Sequence, residues 1–190
     1  MNRIGKWLLA IFVASALVAC GGGSGSSESK SKTTLMVYMV ASNLVESAEY
    51  DIEHMLAAHS GKDVNVVLEI GGGTKPGTLS GVDMTQHARY QLKPNAAAEK
   101  GWSLVRMPDA QQPPQVAMNQ PDTLRDFIKW SAQAFPADQY VLALWDHGGG
   151  PIGGFGSDGA LGGGKTMLVN DIISAIKSAG VSFELVGFDS

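Results

Sequence analysis

An ionisable side chain and three consecutive glycines come directly after an apolar run. Residues 140–145 are apolar without interruption and include β-branched and aromatic members, which predicts a strand buried on both faces of a parallel sheet. The run ends on Asp146, His147 and the glycines at 148–150. Because α/β proteins place ligands at the carboxyl ends of parallel strands, the pattern puts an imidazole beside backbone that a ligand can approach closely. The chemistry it favours is proton transfer by His147.

A second candidate site lies in the glycine-rich segment that follows. Residues 159–166 satisfy the pattern G-x-x-x-x-G-K-[ST] of phosphate-binding loops, and Asp189 after an apolar run is typical of a metal-binding aspartate in such proteins. A phosphate cradle needs a buried strand that leads directly into its first glycine. Residues 151–158 are glycine-rich and irregular instead, so nucleotide binding is an alternative and not the preferred interpretation.

Two hydrolase interpretations use His147 itself. Residues 147–150 spell the H-G-G-G oxyanion element of some α/β-hydrolases, but no G-x-S-x-G nucleophile elbow follows. In the other interpretation His147 is a catalytic base and the neighbouring strand supplies the nucleophile. Residues 183–188 form the last apolar run, and parallel pairing with residues 140–145 would make His147 face whatever follows Asp189.

The elements that must position these residues alternate between strand and helix patterns. Continuous apolar runs occur at residues 34–40 and 140–145, and mostly apolar strand patterns occur at residues 64–70 and 183–188. Shorter mixed patterns, which predict a hairpin or edge strands, occur at residues 86–92 and 102–107. Amphipathic periodicity predicts helices that begin near Asn43 and Pro121, and a third over residues 168–179. This alternation predicts an α/β fold with a mostly parallel sheet flanked by helices.

Local signals predict the helix ends. Ser42 or Asn43 is the candidate N-cap of the first helix. Thr123 and Asp126 resemble a capping pair in the second helix, and Gly180 is the natural C-cap of the third.

The three other histidines are not expected to take part in catalysis. His54 and His59 fall on the first predicted helix, and His87 falls on the uncertain strand at residues 86–92. The sequence indicates no acidic or thiol partner for any of them. We therefore expect structural or surface roles.

The first residues predict a targeting segment. Arg3 and Lys6 form a positive region before an apolar stretch at residues 7–18, which is too short to span a bilayer. This is the pattern of a signal peptide.

The end of this stretch resembles the lipobox of bacterial lipoproteins, in which a cysteine is acylated. Residues 17–20 read Leu-Val-Ala-Cys, and Cys20 is the only cysteine of the chain. The resemblance implies a signal peptide over residues 1–19 and a lipid on Cys20. Because Gly21 is not aspartate, it also implies anchorage at the outer membrane of a Gram-negative cell.

Composition bounds the rest of the chain. Residues 20–33 combine the anchor cysteine with glycine, serine and charged residues, which predicts a flexible linker before a single domain at residues 34–190. The 190 residues are 44% hydrophobic and 17% charged, which suffices for one core. The formal net charge of −4 argues against a surface for a phosphate backbone, so nucleic acid is not an expected partner.

Several stretches together resemble the clostripain family of cysteine peptidases. They are residues 119–130 (NQPDTLRDFIKW), 135–140 (FPADQY) and 144–150 (LWDHGGG), with a similar opening at residues 37–46. The likeness covers most of residues 34–190. It implies a caspase-like, three-layer α/β/α fold in which His147 is the catalytic histidine.

The family's nucleophile is a cysteine that follows phenylalanine, aspartate and a small residue after an apolar strand. Phe188, Asp189 and Ser190 match the first three positions, and the sequence stops there. We therefore expect a domain that is incomplete at its C-terminus, lacks the nucleophile and is inactive as it stands. By resemblance, the backbone of Gly148 belongs to the oxyanion hole, and Asp189 in the primary specificity pocket would pair with an arginine or lysine of the substrate.

The resemblance also implies processing of the chain itself. Relatives are often cut after a basic residue between the histidine and the cysteine, and Lys165 is the only lysine or arginine between Trp145 and Lys177. We expect a cut between Lys165 and Thr166, since the glycines before it give a flexible segment with little side-chain bulk. Lys177 falls within a predicted helix, where backbone hydrogen bonds would have to break first.

The preferred interpretation is a lipid-anchored endopeptidase that acts on proteins or peptides with basic residues. No metal site is predicted from the residues, and calcium is a candidate cofactor by family resemblance alone. Two alternatives stay open: a non-catalytic, surface-anchored binding lipoprotein, and a nucleotide-binding protein that uses residues 159–166.

Overall fold

The computed structural model of the protein describes residues 31–58, 61, 63–79 and 81–190, which contain one sheet of six strands. The strands are β1 (Ser31–Val40), β2 (Val64–Gly71), β3 (Ala88–Pro94), β4 (Trp102–Arg106), β5 (Ala137–Trp145) and β6 (Leu185–Asp189). The helices are α1 (Val45–Ala58), α2 (Pro121–Ala134), the single turn α3 (Gly150–Gly153) and α4 (Val169–Ala179). None of the helices in these residues is long and apolar enough to cross a membrane. The predicted signal peptide, Cys20 and His59 lie outside the described residues.

The strand order is β4-β3-β2-β1-β5-β6. β1 pairs in parallel with both β2 and β5, and β5 pairs in parallel with β6. β3 and β4 form an antiparallel hairpin that extends the sheet beyond β2. The mostly parallel sheet and the hairpin at its edge are therefore confirmed.

The central strand β1 is buried on both faces, which explains its continuous apolar sequence. Met36, Tyr38 and Val40 pack against α2 and α4, while Val37 and Met39 pack against α1 on the opposite face. Helices thus cover both faces of the sheet. The three-layer α/β/α arrangement is confirmed.

The first strand begins earlier than predicted. β1 starts at Ser31, which pairs with Ala137 of β5, and the N–H groups of Lys32 and Thr33 both donate to the carbonyl of Asp63. These ladder bonds draw residues 31–33 into the sheet. The predicted linker over residues 20–33 is therefore too long at its carboxyl end.

The first helix also starts differently. Residues 41–44 form a tight turn, closed by a 2.7 Å bond from Leu44 N to Ala41 O, and α1 begins only at Val45. Ser42 lies in the turn with a φ of 47°. Neither Ser42 nor Asn43 caps the helix, so that prediction is wrong.

The capping pair predicted in α2 is wrong as well. Thr123 Oγ1 donates to the carbonyl of Ala117 at 2.9 Å, and the carboxylate of Asp126 accepts from Arg125. In α4 the prediction is confirmed, because Gly180 is the C-cap with a left-handed φ of 71°.

Candidate active site

Strands β5 and β6 end side by side at one edge of the sheet. Their register runs from Val141 opposite Leu185 to Trp145 opposite Asp189, and Asp146 N lies 3.3 Å from Asp189 O. This is the predicted parallel pairing. A residue two positions after Asp189 would lie opposite His147, which is two positions after Trp145.

His147 has an exposed side chain with one anchored ring nitrogen. Its Nε2 lies 2.8 Å from Oδ1 of Asn43, in the turn that follows β1. Within the described residues its Nδ1 makes no hydrogen bond. Sequence reasoning missed this contact, because the two residues are 104 positions apart and meet only through the pairing of β1 with β5.

Two acidic side chains anchor the end of β5. Trp145 Nε1 donates to Asp51 Oδ2 of α1 at 2.8 Å, and the buried Asp146 accepts from Ser157 N at 2.6 Å. Burial raises the pKa of Asp146, while the backbone N–H groups of Ser157 and His147 and the nearby imidazole partly oppose the rise. His147 therefore follows a well-anchored strand end.

Gly148 lies directly against the last residue of the chain. A Cβ at Gly148 would be 2.8 Å from Ser190 Oγ and 3.1 Å from Ser190 Cβ, so a side chain here would displace that of Ser190. Among the described residues the N–H of Gly148 donates no hydrogen bond, whereas that of Gly149 donates to Gly154 O at 2.8 Å. One backbone donor is thus available beside Ser190.

A mostly apolar cleft of about 340 Å³ opens next to Gly148. Phe155 and Phe188 meet edge to face on its wall, with ring centroids 5.9 Å apart. The first turn of α4 supplies Val169 and Ile172. The cleft can receive apolar atoms of a ligand bound at the Gly148 N–H.

Asp189 ends β6 with an exposed carboxylate. Its backbone carbonyl accepts from Asp146 N, but within the described residues its side chain forms no ion pair. The carboxylate is therefore accessible to a cationic partner.

Lys165 and Thr166 are exposed in the loop between α3 and α4. The carbonyl of Lys165 accepts a 2.7 Å bond from Nδ2 of the buried Asn119, which also donates to the Gly162 carbonyl at 3.1 Å. Thr166 Oγ1 donates to Gly153 O at 2.7 Å. The segment is accessible but held at both sides of the Lys165–Thr166 bond.

The same loop does not fit a phosphate-binding site. In the described structure no strand leads into residues 159–166, and α4 begins only at Val169. The N–H groups of Ala160 and Leu161 already donate to Asp158 Oδ1, at 2.9 and 2.6 Å. Two amides of the loop are thus bound to a carboxylate, which would also repel a phosphate.

A second polar cluster lies buried between β2 and β3. Glu69 accepts from Arg89 Nε at 2.5 Å and is 2.8 Å from His87 Nε2, while His87 Nδ1 is 3.1 Å from the carbonyl of Pro114. Arg89 also stacks over Trp130, 4.6 Å from the ring centroid. The prediction that His87 has no acidic partner is wrong, because Glu69 is its partner. The pairing of β2 with β3 places Glu69 opposite Arg89, two residues after His87.

Metal ligands do not converge in the part of the chain that the structure describes. No three side chains of His, Cys, Asp or Glu lie close enough together there to hold an ion.

Comparison with solved structures identifies several similar folds. A secreted C11 cysteine protease from Bacteroides thetaiotaomicron, in complex with an irreversible peptide inhibitor, matches with a TM-score of 0.64 and 17% identity over 83% of this chain and 42% of that one. The protease iotapain from the same organism matches with a TM-score of 0.62 and 14% identity over 84% of this chain and 46% of that one. An inactive zymogen C11 protease from Parabacteroides distasonis matches with a TM-score of 0.59 and 18% identity over 84% of this chain and 42% of that one.

These matches establish the caspase-like fold, and the chain spans less than half the length of each of the three proteins. Comparison with curated protein sequences gives no significant match. The sequence model of the clostripain family, Peptidase_C11, matches residues 37–190. Since that match extends over most of the sequence, the chain belongs to the clostripain family of cysteine peptidases.

Proposed function

We propose that this chain provides the general base, the oxyanion donor and the specificity residue of a cysteine endopeptidase that cleaves after arginine or lysine. The observation that supports it most is the β5–β6 register, which brings Gly148 against Ser190 and puts His147 opposite the position two residues after Asp189. Membership of the clostripain family supports a cysteine as the nucleophile.

In the proposed reaction His147 carries the proton. A cysteine thiol after β6 gives its proton to His147, and the resulting thiolate attacks the scissile carbonyl carbon, so that a C–S bond forms and an electron pair moves to the oxygen. His147 then donates a proton to the leaving amine as the C–N bond breaks, which leaves a thioester. Water, deprotonated by His147, hydrolyses the thioester and restores the thiol.

Gly148 stabilises the oxyanion in this scheme. Its N–H has no other partner among the described residues, and the absence of a side chain lets the backbone approach the segment after β6. A preorganised donor of this kind stabilises the negative oxygen of the tetrahedral intermediate.

Asp189 selects the basic residue of the substrate. Its carboxylate is exposed and without an ion-pair partner in the described structure, at the end of the strand that leads to the proposed nucleophile. A guanidinium or ammonium group of the substrate would form a charge-assisted hydrogen bond with it.

We also propose that the active peptidase is cut between Lys165 and Thr166. Both residues are exposed in a loop, whereas Lys177 lies within α4. N-terminal sequencing of an active preparation tests this, and a fully active protein that consists of one intact chain would contradict it.

The proposed location is the outer membrane, through a lipid on Cys20. The lipobox-like sequence at residues 17–20 supports it. Labelled palmitate should enter the protein in a bacterial host, and Cys20→Ser should abolish both the label and membrane fractionation. Unchanged fractionation without label would contradict the lipid anchor.

The specificity claim can be tested on two versions of the protein. The 190 residues alone should not hydrolyse peptides, because their only cysteine is Cys20, which precedes the domain. A version whose reading frame continues through a cysteine after Ser190 should cleave an arginine peptide far faster than its neutral citrulline isostere. Asp189→Asn should remove that preference, and the control Glu184→Gln should keep it. Equal rates for arginine and citrulline would refute the assignment.

A further inference from the structure

The turn between β1 and α1 presents one side chain to the candidate active site. Asn43 Oδ1 lies 2.8 Å from His147 Nε2, although the helix that Asn43 precedes begins only at Val45. Its amide makes no capping bond within the described residues. The side chain is therefore available for a role other than helix capping.

The turn is held firmly in place. Ala41 N donates to Gly71 O at 2.7 Å, and Thr74 N donates to Ser42 O at 2.8 Å, so the first two residues of the turn are tied to the end of β2 and to the segment that follows it. Ser42 is buried and adopts a left-handed φ of 47°, which is uncommon for a residue other than glycine. Strained backbone of this kind persists where the surroundings hold it, and it concentrates at functional sites.

The chemistry of the contact decides where the imidazole proton lies. The amide oxygen of Asn43 can only accept a hydrogen bond, so Nε2 of His147 must carry the proton. In the neutral ring the lone pair is then on Nδ1, which makes no hydrogen bond in the described residues. Nδ1 is consequently the atom that can accept a proton from a nucleophile.

We propose that Asn43 is a positioning residue that fixes the orientation and the tautomer of His147. The proposal rests on the proposed peptidase function for its catalytic consequence, but the state of the ring can be measured without it. Asn43 acts through His147 and does not itself touch the reacting atoms.

Ring spectroscopy on the 190-residue chain tests the proposal directly. With ¹⁵N-labelled histidine, and the His147 signals assigned from a His147→Gln variant, we expect a protonated Nε2 whose proton exchanges slowly and an unprotonated Nδ1. Asn43→Ala should lose the slowly exchanging proton, while Asn43→Asp, which keeps an acceptor oxygen at the same place, should retain it.

Asn95→Ala is the matched control. Asn95 is also exposed and also makes side-chain hydrogen bonds in a turn, to Ala97 N and Ser103 Oγ, but it lies in the β3–β4 hairpin. Its loss should leave the His147 signals unchanged. A protonated Nδ1 in the unmodified chain, or a slow Nε2 proton that survives Asn43→Ala, would overturn the proposal.

Kinetics on a version that contains the cysteine after Ser190 supply the second readout. Asn43→Ala should lower kcat about 5- to 30-fold with little change in KM, the effect of losing one hydrogen bond that orients the base. Asn43→Asp should recover most of the rate, and Asn95→Ala should match the unmodified protein. If that protein has no peptidase activity at all, the proposed function fails, and the ring spectra still decide the role of Asn43.

Discussion

His87 and His147 lie next to strands of the same sheet, but one is buried and the other is exposed. His87 is 1% exposed, and both of its ring nitrogens have partners, Glu69 and the Pro114 carbonyl. His147 is exposed, with one ring nitrogen on Asn43 and the other without a partner in the described residues. The first histidine is committed to structure, whereas the second keeps a nitrogen for chemistry.

The difference follows from where the strands place each residue. His87 directly precedes β3, which pairs with the interior of β2. The side chain of Gln115 accepts from the His87 N–H at 3.0 Å and donates to the His87 carbonyl at 2.8 Å. His147 follows the end of β5, where parallel strands give way to loops. The strand topology therefore determines that His87 is buried with both ring nitrogens hydrogen-bonded and that His147 is exposed with one nitrogen unbonded in the described residues.

The largest expected effect separates the two regions by stability. Glu69→Ala removes the carboxylate that partners both Arg89 and His87 in the interior, so we expect the free energy of unfolding to fall by about 3–5 kcal/mol. Urea denaturation measures it. A loss below about 1 kcal/mol would show that the buried cluster is not a structural element.

The second effect concerns the loop that follows the exposed histidine. Asn119→Ala removes two hydrogen bonds, to the carbonyls of Gly162 and Lys165, so trypsin should cleave after Lys165 about 5 to 30 times faster. Mass spectrometry of the fragments follows the cleavage. Asn95→Ala serves as the control. An unchanged cleavage rate in Asn119→Ala would mean that the two hydrogen bonds of Asn119 do not limit access to the Lys165–Thr166 bond.

The third effect is a small one at the exposed histidine. Because His147 is solvent-exposed, His147→Ala should change the free energy of unfolding by no more than about 0.5 kcal/mol. Denaturation in parallel with His87→Ala, which should be clearly destabilised, gives the contrast. Equal destabilisation of both variants would remove the distinction between the two environments.

The smallest effect is a pH dependence at Asp146. Its pKa is raised from the ordinary value of 3.8, chiefly by burial, so the folded protein binds this proton more tightly than the unfolded chain. The free energy of unfolding therefore falls as the pH rises from the ordinary pKa of this carboxyl to its raised pKa in the folded protein. Above the raised pKa the loss of stability is complete. Asp146→Asn does not titrate.

The measurement is Tm against pH for both proteins. The difference, Asp146→Asn minus the unmodified protein, should grow as the pH rises through that window and then level off. A difference that is constant with pH, or that shrinks as the pH rises, would contradict the raised pKa.

Much of the fold could be predicted because the parallel strands are mostly apolar runs. Residues 140–145 and 183–188 predicted neighbouring parallel strands, and their pairing as β5 and β6 is confirmed. The antiparallel hairpin at the sheet edge was predictable from its mixed pattern. Local helix signals were less reliable, since Thr123 and Asn43 have capping chemistry but use it elsewhere.

The side-chain partnerships could not be predicted in the same way. Glu69 is an acidic residue inside an apolar run, and its position gave a signal that sequence reasoning did not use: a buried carboxylate needs partners. Which residues those are depends on the β2–β3 register. Asn43 and His147 meet through the pairing of β1 with β5, which no local pattern encodes.

The role of His147 as the proton carrier is tested most directly by the kcat/KM of His147→Ala on an arginine peptide, in a version of the protein with a cysteine after Ser190. We predict a loss of at least about 100-fold, the contribution expected of a general acid and base, with an unchanged unfolding midpoint. Activity that stays within about threefold of the unmodified protein would contradict the account.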